Sequence, residues 1–264
     1  MKYGICLWMS AAMRAEASHR AEMVSQLLFG ETYLTLDEEE DWVKIRTSDC
    51  HYEGWITSKQ HTGISETEFH QWEGHPKEMV RSDFQYLQYT DTKIPFPIFI
   101  GSIYPKTDNG IFSIHGKQFS VRPVENPPIP RHHGLTDAQN NLLAFAFHYL
   151  NAPYLWGGRT PAGIDCSGFT QIVFRSIGID LPRDASQQVH CGIEIQSVDE
   201  ARIGDIAFFE NENGRIVHVG IVCGQNQILH ASGHVQINTL DSTGIFNNDT
   251  KQYTHRLHII KRIL

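Results

Sequence analysis

The stretch Tyr154-Leu-Trp-Gly-Gly-Arg-Thr-Pro-Ala-Gly-Ile-Asp165-Cys166-Ser167-Gly168-Phe169-Thr-Gln-Ile-Val173 decides how the chain is read. A loop rich in Gly and Pro runs into Asp165-Cys166-Ser167-Gly168. An apolar run at helical spacing begins there, with Phe169, Ile172, Val173 and Ile177. Apolar side chains at i, i+3, i+4 and i+8 line one helix face, and Gly178 is a helix stop. Cys166 therefore stands at a helix N-terminus. Free amide N–H groups and the helix dipole favour an anion there. That setting lowers a thiol pKa and enriches the nucleophilic thiolate. The bland alternative for a lone Cys is a small side chain packed where a loop meets a helix.

A cysteine nucleophile needs a base, and the base needs an orienting partner. The chain has 15 histidines, so position has to decide between them. In Ile216-Val-His-Val-Gly-Ile-Val222, alternation sets Val217, Val219 and Ile221 on one strand face and His218 with Gly220 on the other. His230 falls on the next strand. A hairpin looped at Cys223-Gly224-Gln225 would set His218 directly opposite His230, about 5 Å away. His230 would then fix the outer ring nitrogen of His218. A one-residue slip would put the two rings on opposite faces. A satisfied core histidine is the competing account of His218.

With 264 residues the chain is long enough for two or three modules. A net charge of −8 argues against nucleic acid, whose phosphates need a basic face, and against a polybasic membrane anchor. No apolar run approaches the ~20 residues of a spanning helix. The segment Met1-Lys-Tyr-Gly-Ile-Cys-Leu-Trp-Met-Ser is read as a first strand and not as a secretion signal. The 5 cysteines are spread without Cys-x-x-Cys spacing, which suits free thiols in a reducing compartment and no structural zinc.

Residues 1–65 hold short strand-like runs at Ile5–Met9, Thr32–Leu36, Trp42–Arg46 and Gly54–Thr57, consistent with a small barrel. Residues 66–78 read as a polar connection. Residues 79–125 are strand-like again, at Phe84–Tyr89, Phe96–Ile103, Gly110–Ile114 and Lys117–Val121. Pro95, Pro97 and Pro105 keep those strands short or at edges. The alternative for this region is a β-rich insertion without its own core. Residues 126–135 form a Pro-rich linker. Residues 136–264 follow as one domain, opened by a helix capped at Thr136, with core strands at Ile206–Glu210, Ile216–Cys223 and Gln227–Ala231.

Pro153-Tyr-Leu-Trp-Gly-Gly, Asp165-Cys-Ser-Gly-Phe-Thr-Gln and Gly178-Ile-Asp-Leu-Pro-Arg-Asp-Ala-Ser-Gln resemble the NlpC-type family of cell-wall cysteine peptidases. Gly204-Asp-Ile-Ala-Phe-Phe, Val217-His-Val-Gly-Ile and Leu229-His-Ala-Ser continue the resemblance in the family order. It covers about the last half of the chain. Before it, Trp42-Val-Lys-Ile-Arg and Tyr52-Glu-Gly-Trp-Ile resemble a bacterial SH3-type barrel. The fold class implied is α+β, two small all-β SH3-like barrels followed by a papain-like peptidase domain.

The resemblance implies a triad of Cys166, His218 and His230, with the Tyr154 hydroxyl joining the nucleophile's own N–H at the oxyanion. Trp156 would shape the cleft. Asp165, read as an exposed carboxylate, could bind a substrate amine. Ser167, Arg183, Asp184 and Ser186 could contact a substrate carboxylate or order their loop. In relatives with SH3-type modules the first module closes one end of the cleft and grips the amine of L-alanine. Tyr52 matches the tyrosine of that grip, and Glu16 or Glu22 the acid; the same glutamates could equally be solvated surface charges. The implied activity is a cytoplasmic, monomeric γ-D-glutamyl-L-diamino-acid endopeptidase of the dipeptidyl-peptidase VI type. It would act on murein peptides without metal or cofactor. The rivals are a non-catalytic murein-peptide-binding protein and an amide or ester acyltransferase on the same fold.

Overall fold

The computed structural model describes residues 2–122, 124 and 131–264. The chain divides into two compact units, one spanning residues 1–128 with 156–161, the other 129–155 with 162–264. Residues 126–130 of the linker read from the sequence lie outside the described residues.

The first unit opens with β1 (Tyr3–Ile5), β2 (Ser10–Arg14), β3 (Met23–Leu28), β4 (Thr32–Glu39), β5 (Trp42–Thr47), β6 (Glu53–Thr57) and β7 (Gly63–Ile64). They form one antiparallel sheet in the order β3-β2-β6-β5-β4-β1-β7. Ala11, Met13, Leu27, Tyr33, Val43, Ile45 and Ile56 fill its interior. Of these strands, β2, Ser-Ala-Ala-Met-Arg, and β3, Met-Val-Ser-Gln-Leu-Leu, lack a clear period-2 apolar pattern and so carry no strand signal in the sequence.

Residues 66–78 are not a bare connection. They hold α1 (Glu66–Gly74) and the start of β8 (Lys77–Met79). Ser65 caps α1 and Glu68 returns the bond to the cap, a complete capping box. Trp72 buries itself beneath the sheet and donates its indole N–H to the Gly30 carbonyl at 3.0 Å. The chain continues through β9 (Phe84–Tyr89), β10 (Pro95–Phe99), β11 (Ile103–Pro105), β12 (Ile111–Ile114) and β13 (Lys117–Arg122). Four of these make a sheet in the order β10-β9-β13-β12, while β11 pairs with β8.

This second β region packs its core against the first sheet. Leu87, Ile98, Phe112 and Phe119 pack in one cluster with Ile5, Leu7 and Phe29 from the first sheet. The two β regions share an aromatic cluster, in which Phe112 and Phe119 stack at 5.1 Å. A pattern of strands reports faces but not which faces meet.

The segment Trp156–Pro161 belongs to this first unit and contains β14 (Arg159–Thr160). Arg159 is buried and forks onto Glu31, with Nη1 to Oε2 at 2.8 Å and Nη2 to Oε1 at 2.9 Å. It also donates to the Gln26 carbonyl at 2.7 Å. Gly157 has φ +75°, and a Cβ there would lie 2.2 Å from the Met23 carbonyl oxygen, so only glycine fits.

In the second unit, α2 (Asp137–Phe147) carries the Thr136 cap and a capping box with Gln139. β15 (Gly163–Ile164), α3 (Cys166–Arg175) and α4 (Ala185–Gln188) follow. The remaining strands are β16 (Ile193–Ile195), β17 (Ile206–Glu210), β18 (Ile216–Gly224), β19 (Gln227–Ser232), β20 (His234–Leu240), β21 (Gly244–Asn247) and β22 (Gln252–Arg262). They run β16-β22-β17-β18-β19-β20-β21, and β22 also pairs with β21, closing six strands into a ring. Phe209, Val222, Ile228, Leu240 and Ile245 pack in its core. The apolar face of α3, with Phe169, Ile172 and Val173 fully buried, seats its helix in this unit.

Breaking a buried pair by removing one partner leaves an uncompensated charge. Glu31→Ala is therefore expected to lower the unfolding free energy by about 3–5 kcal/mol in urea titration. A loss below about 1 kcal/mol would mean that Arg159 finds water in place of Glu31.

Candidate active site

The helix start is set by Asp165. Its Oδ1 accepts the Gly168 N–H at 2.6 Å, as an N-cap should. Arg183 then forks onto the same carboxylate, at 3.1 Å to Oδ1 and 2.6 Å to Oδ2. Arg183 also donates to Ser167 Oγ at 3.0 Å. All three side chains are buried. The expectation of an exposed Asp165 that binds a substrate amine is thus corrected: both oxygens are engaged, and the residue builds the helix start. Arg183 and Ser167 order the same loop. Asp184 precedes α4 as its N-cap residue, and Ser186 is exposed on α4.

Cys166 is the first residue of α3, and the backbone N–H groups of Ser167 and of Val219 on β18 are among the groups that pull its thiol pKa down. Val219 directly follows His218 in β18. The thiol is not pre-ionised as its helix position had suggested. Burial pushes it up to about 12 and Asp165 pushes the same way, while the two backbone groups and Arg183 pull it back only in part. Desolvation outweighs the dipole here because only 7% of the residue is exposed.

His218 and His230 meet, but not by the register expected. Gly220 pairs with His230 and Gly224 with Gln227, so the turn is Gln225-Asn226, with a bulge at Cys223. Asn226 takes φ 55°, which suits this tight loop. The register is displaced by two residues, which keeps both rings on one face and makes them diagonal neighbours. His218 Nε2 lies 2.9 Å from His230 Nδ1. A Cβ at Gly220 would come within 2.8 Å of the His230 Cβ, so that glycine makes room for the ring. Burial holds His218 well below the ordinary imidazole value, with His255 and His230 adding to the shift. His230 is lowered to about 3, again chiefly by burial.

Tyr154 is held by its N–H to the Gly233 carbonyl at 2.9 Å and by a bridge to Ile164, one residue before Asp165. Burial pushes its hydroxyl up, and the Cys166 and Asp165 charges act in the same sense. It therefore stays a hydrogen-bond donor at neutral pH. Cysteine, imidazole, orienting imidazole and phenol together form an arrangement able to carry acyl transfer through a thioester.

Comparison with known proteins agrees with this geometry. Residues 151–254 match the NlpC/P60 family and residues 13–60 the bacterial dipeptidyl-peptidase SH3 domain. The chain carries an NlpC/P60 domain. A γ-D-glutamyl-L-lysine dipeptidyl-peptidase of Bacillus subtilis is 28% identical over 238 residues, covering 83% of this chain and 76% of that protein. Dipeptidyl-peptidase 6 of Lysinibacillus sphaericus is 28% identical over 256 residues, 90% of this chain and 91% of that one. The crystal structure of an NlpC/P60 family protein from Bacillus cereus superposes with a TM-score of 0.81 at 20% identity, covering 99% of both chains, and so shares the fold. The fold is α+β, with an SH3-like domain in a β-rich N-terminal region and a papain-like NlpC/P60 domain with few helices.

Tyr52, Glu16, Glu22 and Trp156 lie in the first unit. Tyr52 packs half-buried on that unit's core. Glu16 and Glu22 are exposed, and Glu22 accepts the Trp156 indole N–H. Two residues around the NlpC/P60 histidines escaped the sequence reading. Asn238 on β20 donates Nδ2–H to His230 Nε2 at 3.1 Å and to Gln236 Oε1 at 3.0 Å, while its Oδ1 accepts the Asn248 N–H at 3.2 Å. His255 on β22 stacks against His218. Alternation in Val235-Gln-Ile-Asn-Thr-Leu240 sets Asn238 with Gln236, opposite Val235 and Ile237, and so gave no sign that Asn238 is buried. His255 had no signal beyond being one of many histidines. Among the described residues no group of three or more His, Cys, Asp or Glu is arranged to hold a metal ion.

A raised thiol and a lowered imidazole leave both groups neutral at rest. Ultraviolet spectra at pH 7 should therefore show no extra thiolate in wild type over Cys166→Ala, with ionisation only in the alkaline range. One additional thiolate equivalent at pH 7 would reveal a resting ion pair instead.

Proposed function

We propose that this chain is a cysteine peptidase that cleaves the γ-D-glutamyl–diamino-acid bond of murein peptides bearing a free N-terminal L-alanine. The observation that carries this is a buried cysteine at the first position of α3, with α3 packed on the strand that bears His218, whose ring His230 engages at 2.9 Å. The substrate class is drawn from the names of the dipeptidyl-peptidases that match over most of the chain.

In the proposed reaction His218 takes the thiol proton as sulfur attacks the γ-carbonyl carbon. Nε2 of His218 is occupied by His230, so Nδ1 is the nitrogen that receives it. The tetrahedral oxyanion is held by the Cys166 N–H and the Tyr154 hydroxyl. His218 returns its proton to the leaving amine, the C–N bond breaks, and a γ-D-glutamyl thioester remains. Water attacks that thioester, giving its proton to His218 and then to sulfur, and the dipeptide leaves as an acid. No charge need persist on the buried groups between turnovers.

Product analysis by mass spectrometry tests the proposal with L-Ala-γ-D-Glu-meso-diaminopimelate, its lysine counterpart and the N-acetylated forms. The expected products are L-Ala-γ-D-Glu and the free diamino acid. Cys166→Ala should abolish turnover, and His218→Ala should cost nearly as much, because members of such a unit are strongly non-additive. His230→Ala should cost less. Acetylation should cost about 10³-fold or more, as for sites built around a polar substrate group. Tyr52→Phe reads whether the N-terminal unit takes part in that selection. Binding without hydrolysis would support a peptide-binding protein, and product formed only with an added acceptor amine would support an acyltransferase.

A further inference from the structure

His255 has no step in the reaction just described, yet its ring lies nearest to the base. The His218 and His255 centroids are 4.0 Å apart with ring planes 24° from parallel. His230 presents its edge to both, at 5.1 Å from His218 and 5.9 Å from His255. His255 Nδ1 lies 2.8 Å from Thr254 Oγ1 on its own strand. The groups around His255 are uneven in charge. β18 presents His218 and β19 His230, while Phe209 of β17 packs at 6.0 Å and Ile245 of β21 is the strand partner. Glu210, next after Phe209, is taken by Arg256 and His258. His234 on β20 also lowers the His230 pKa. Among the described residues no carboxylate is bonded to any of the three rings.

Two neutral imidazoles gain from such a stack, whereas two imidazolium ions at that spacing repel strongly. Exposure decides which ring takes a proton first. His218 and His230 are 4% and 1% exposed, while His255 is only half-buried. A proton arriving from solvent therefore settles on His255 before it reaches the base.

We infer that His255 is a positioning residue with two states: neutral, it clamps the His218 ring for proton transfer; protonated, it sets a positive charge over that ring and prevents His218 from accepting the Cys166 proton. The inference rests on the proposed triad. Its consequence is an acid limb of kcat/KM governed by a residue outside the triad.

The test follows kcat/KM against pH for wild type, His255→Phe and His255→Ala on the diaminopimelate tripeptide, beside an NMR titration of the histidine rings in the wild-type protein. Phe keeps an aromatic face on His218 but cannot charge. One pH unit below the wild-type midpoint, His255→Phe should retain about fivefold more of its own maximum than wild type does. His255→Ala should lose about tenfold in kcat with KM nearly unchanged, and Phe should recover most of that loss. In the titration, His255 should protonate before His218 as the pH falls, in step with the loss of activity. Coincident profiles for wild type and His255→Phe would overturn the charge effect, and wild-type kcat in His255→Ala would overturn the clamp. A His255 that stays neutral through the acid limb would also overturn the inference. Absence of turnover in every protein would sink the peptidase proposal instead, and the titration order, which needs no substrate, would still decide the linkage between the rings.

Discussion

The place of Cys166 depends on the buried Asp165 carboxylate. It caps α3 through the Gly168 N–H and is gripped on both oxygens by Arg183. An N-cap alone is worth about 1 kcal/mol. A buried charge pair is a harder constraint, since removing either member leaves the other unpaired in a dry site. Arg183 also binds Ser167 Oγ, so one guanidinium fixes the residues on both sides of the nucleophile. The arrangement has a chemical cost. The same carboxylate that sets the helix start pushes the adjacent thiol up, against the pull of the helix amides.

That opposition gives the site its resting state. A buried thiol and buried imidazoles all favour their neutral forms, for the same desolvation reason. In the proposed reaction, charge appears at Cys166 and His218 only as the substrate carbonyl is attacked, with the Tyr154 hydroxyl, itself firmly protonated, as the proposed donor. The orienting shell continues outward through His230 to Asn238, whose amide is fixed by Gln236 and by the Asn248 N–H. Each shell is held by the strand beyond it, and β22 closes the ring of strands behind them.

The local features around Cys166 were legible in the sequence because they rest on local physics. A helical apolar period and a glycine stop place α3, and Gly178 does take φ +82°, whereas the capping role of Asp165 was not read from the sequence. The alternation in Val217–Ile221 likewise placed His218 on the correct face, although the exact hairpin register did not follow. Gln225-Asn226 competes with Cys223–Gln225 as the loop, and only the bulge at Cys223 settles it. The rest was non-local. The thiol's ionisation depends on burial by distant strands. The role of Arg183 depends on a loop folding back across 18 positions. The shared aromatic core of residues 1–122 depends on faces that meet only in three dimensions. His255 reaches His218 from a strand some forty residues on, with no periodic signal to announce it.

The central claim is that Cys166 carries the acyl group. Rapid acid quench of the full chain with the diaminopimelate tripeptide, followed by intact-mass measurement and peptide mapping, tests it directly. The account predicts an L-Ala-γ-D-glutamyl adduct on the peptide containing Cys166, formed and lost at rates that match turnover. Turnover with no covalent adduct, or an adduct on another residue such as Cys191, would contradict it.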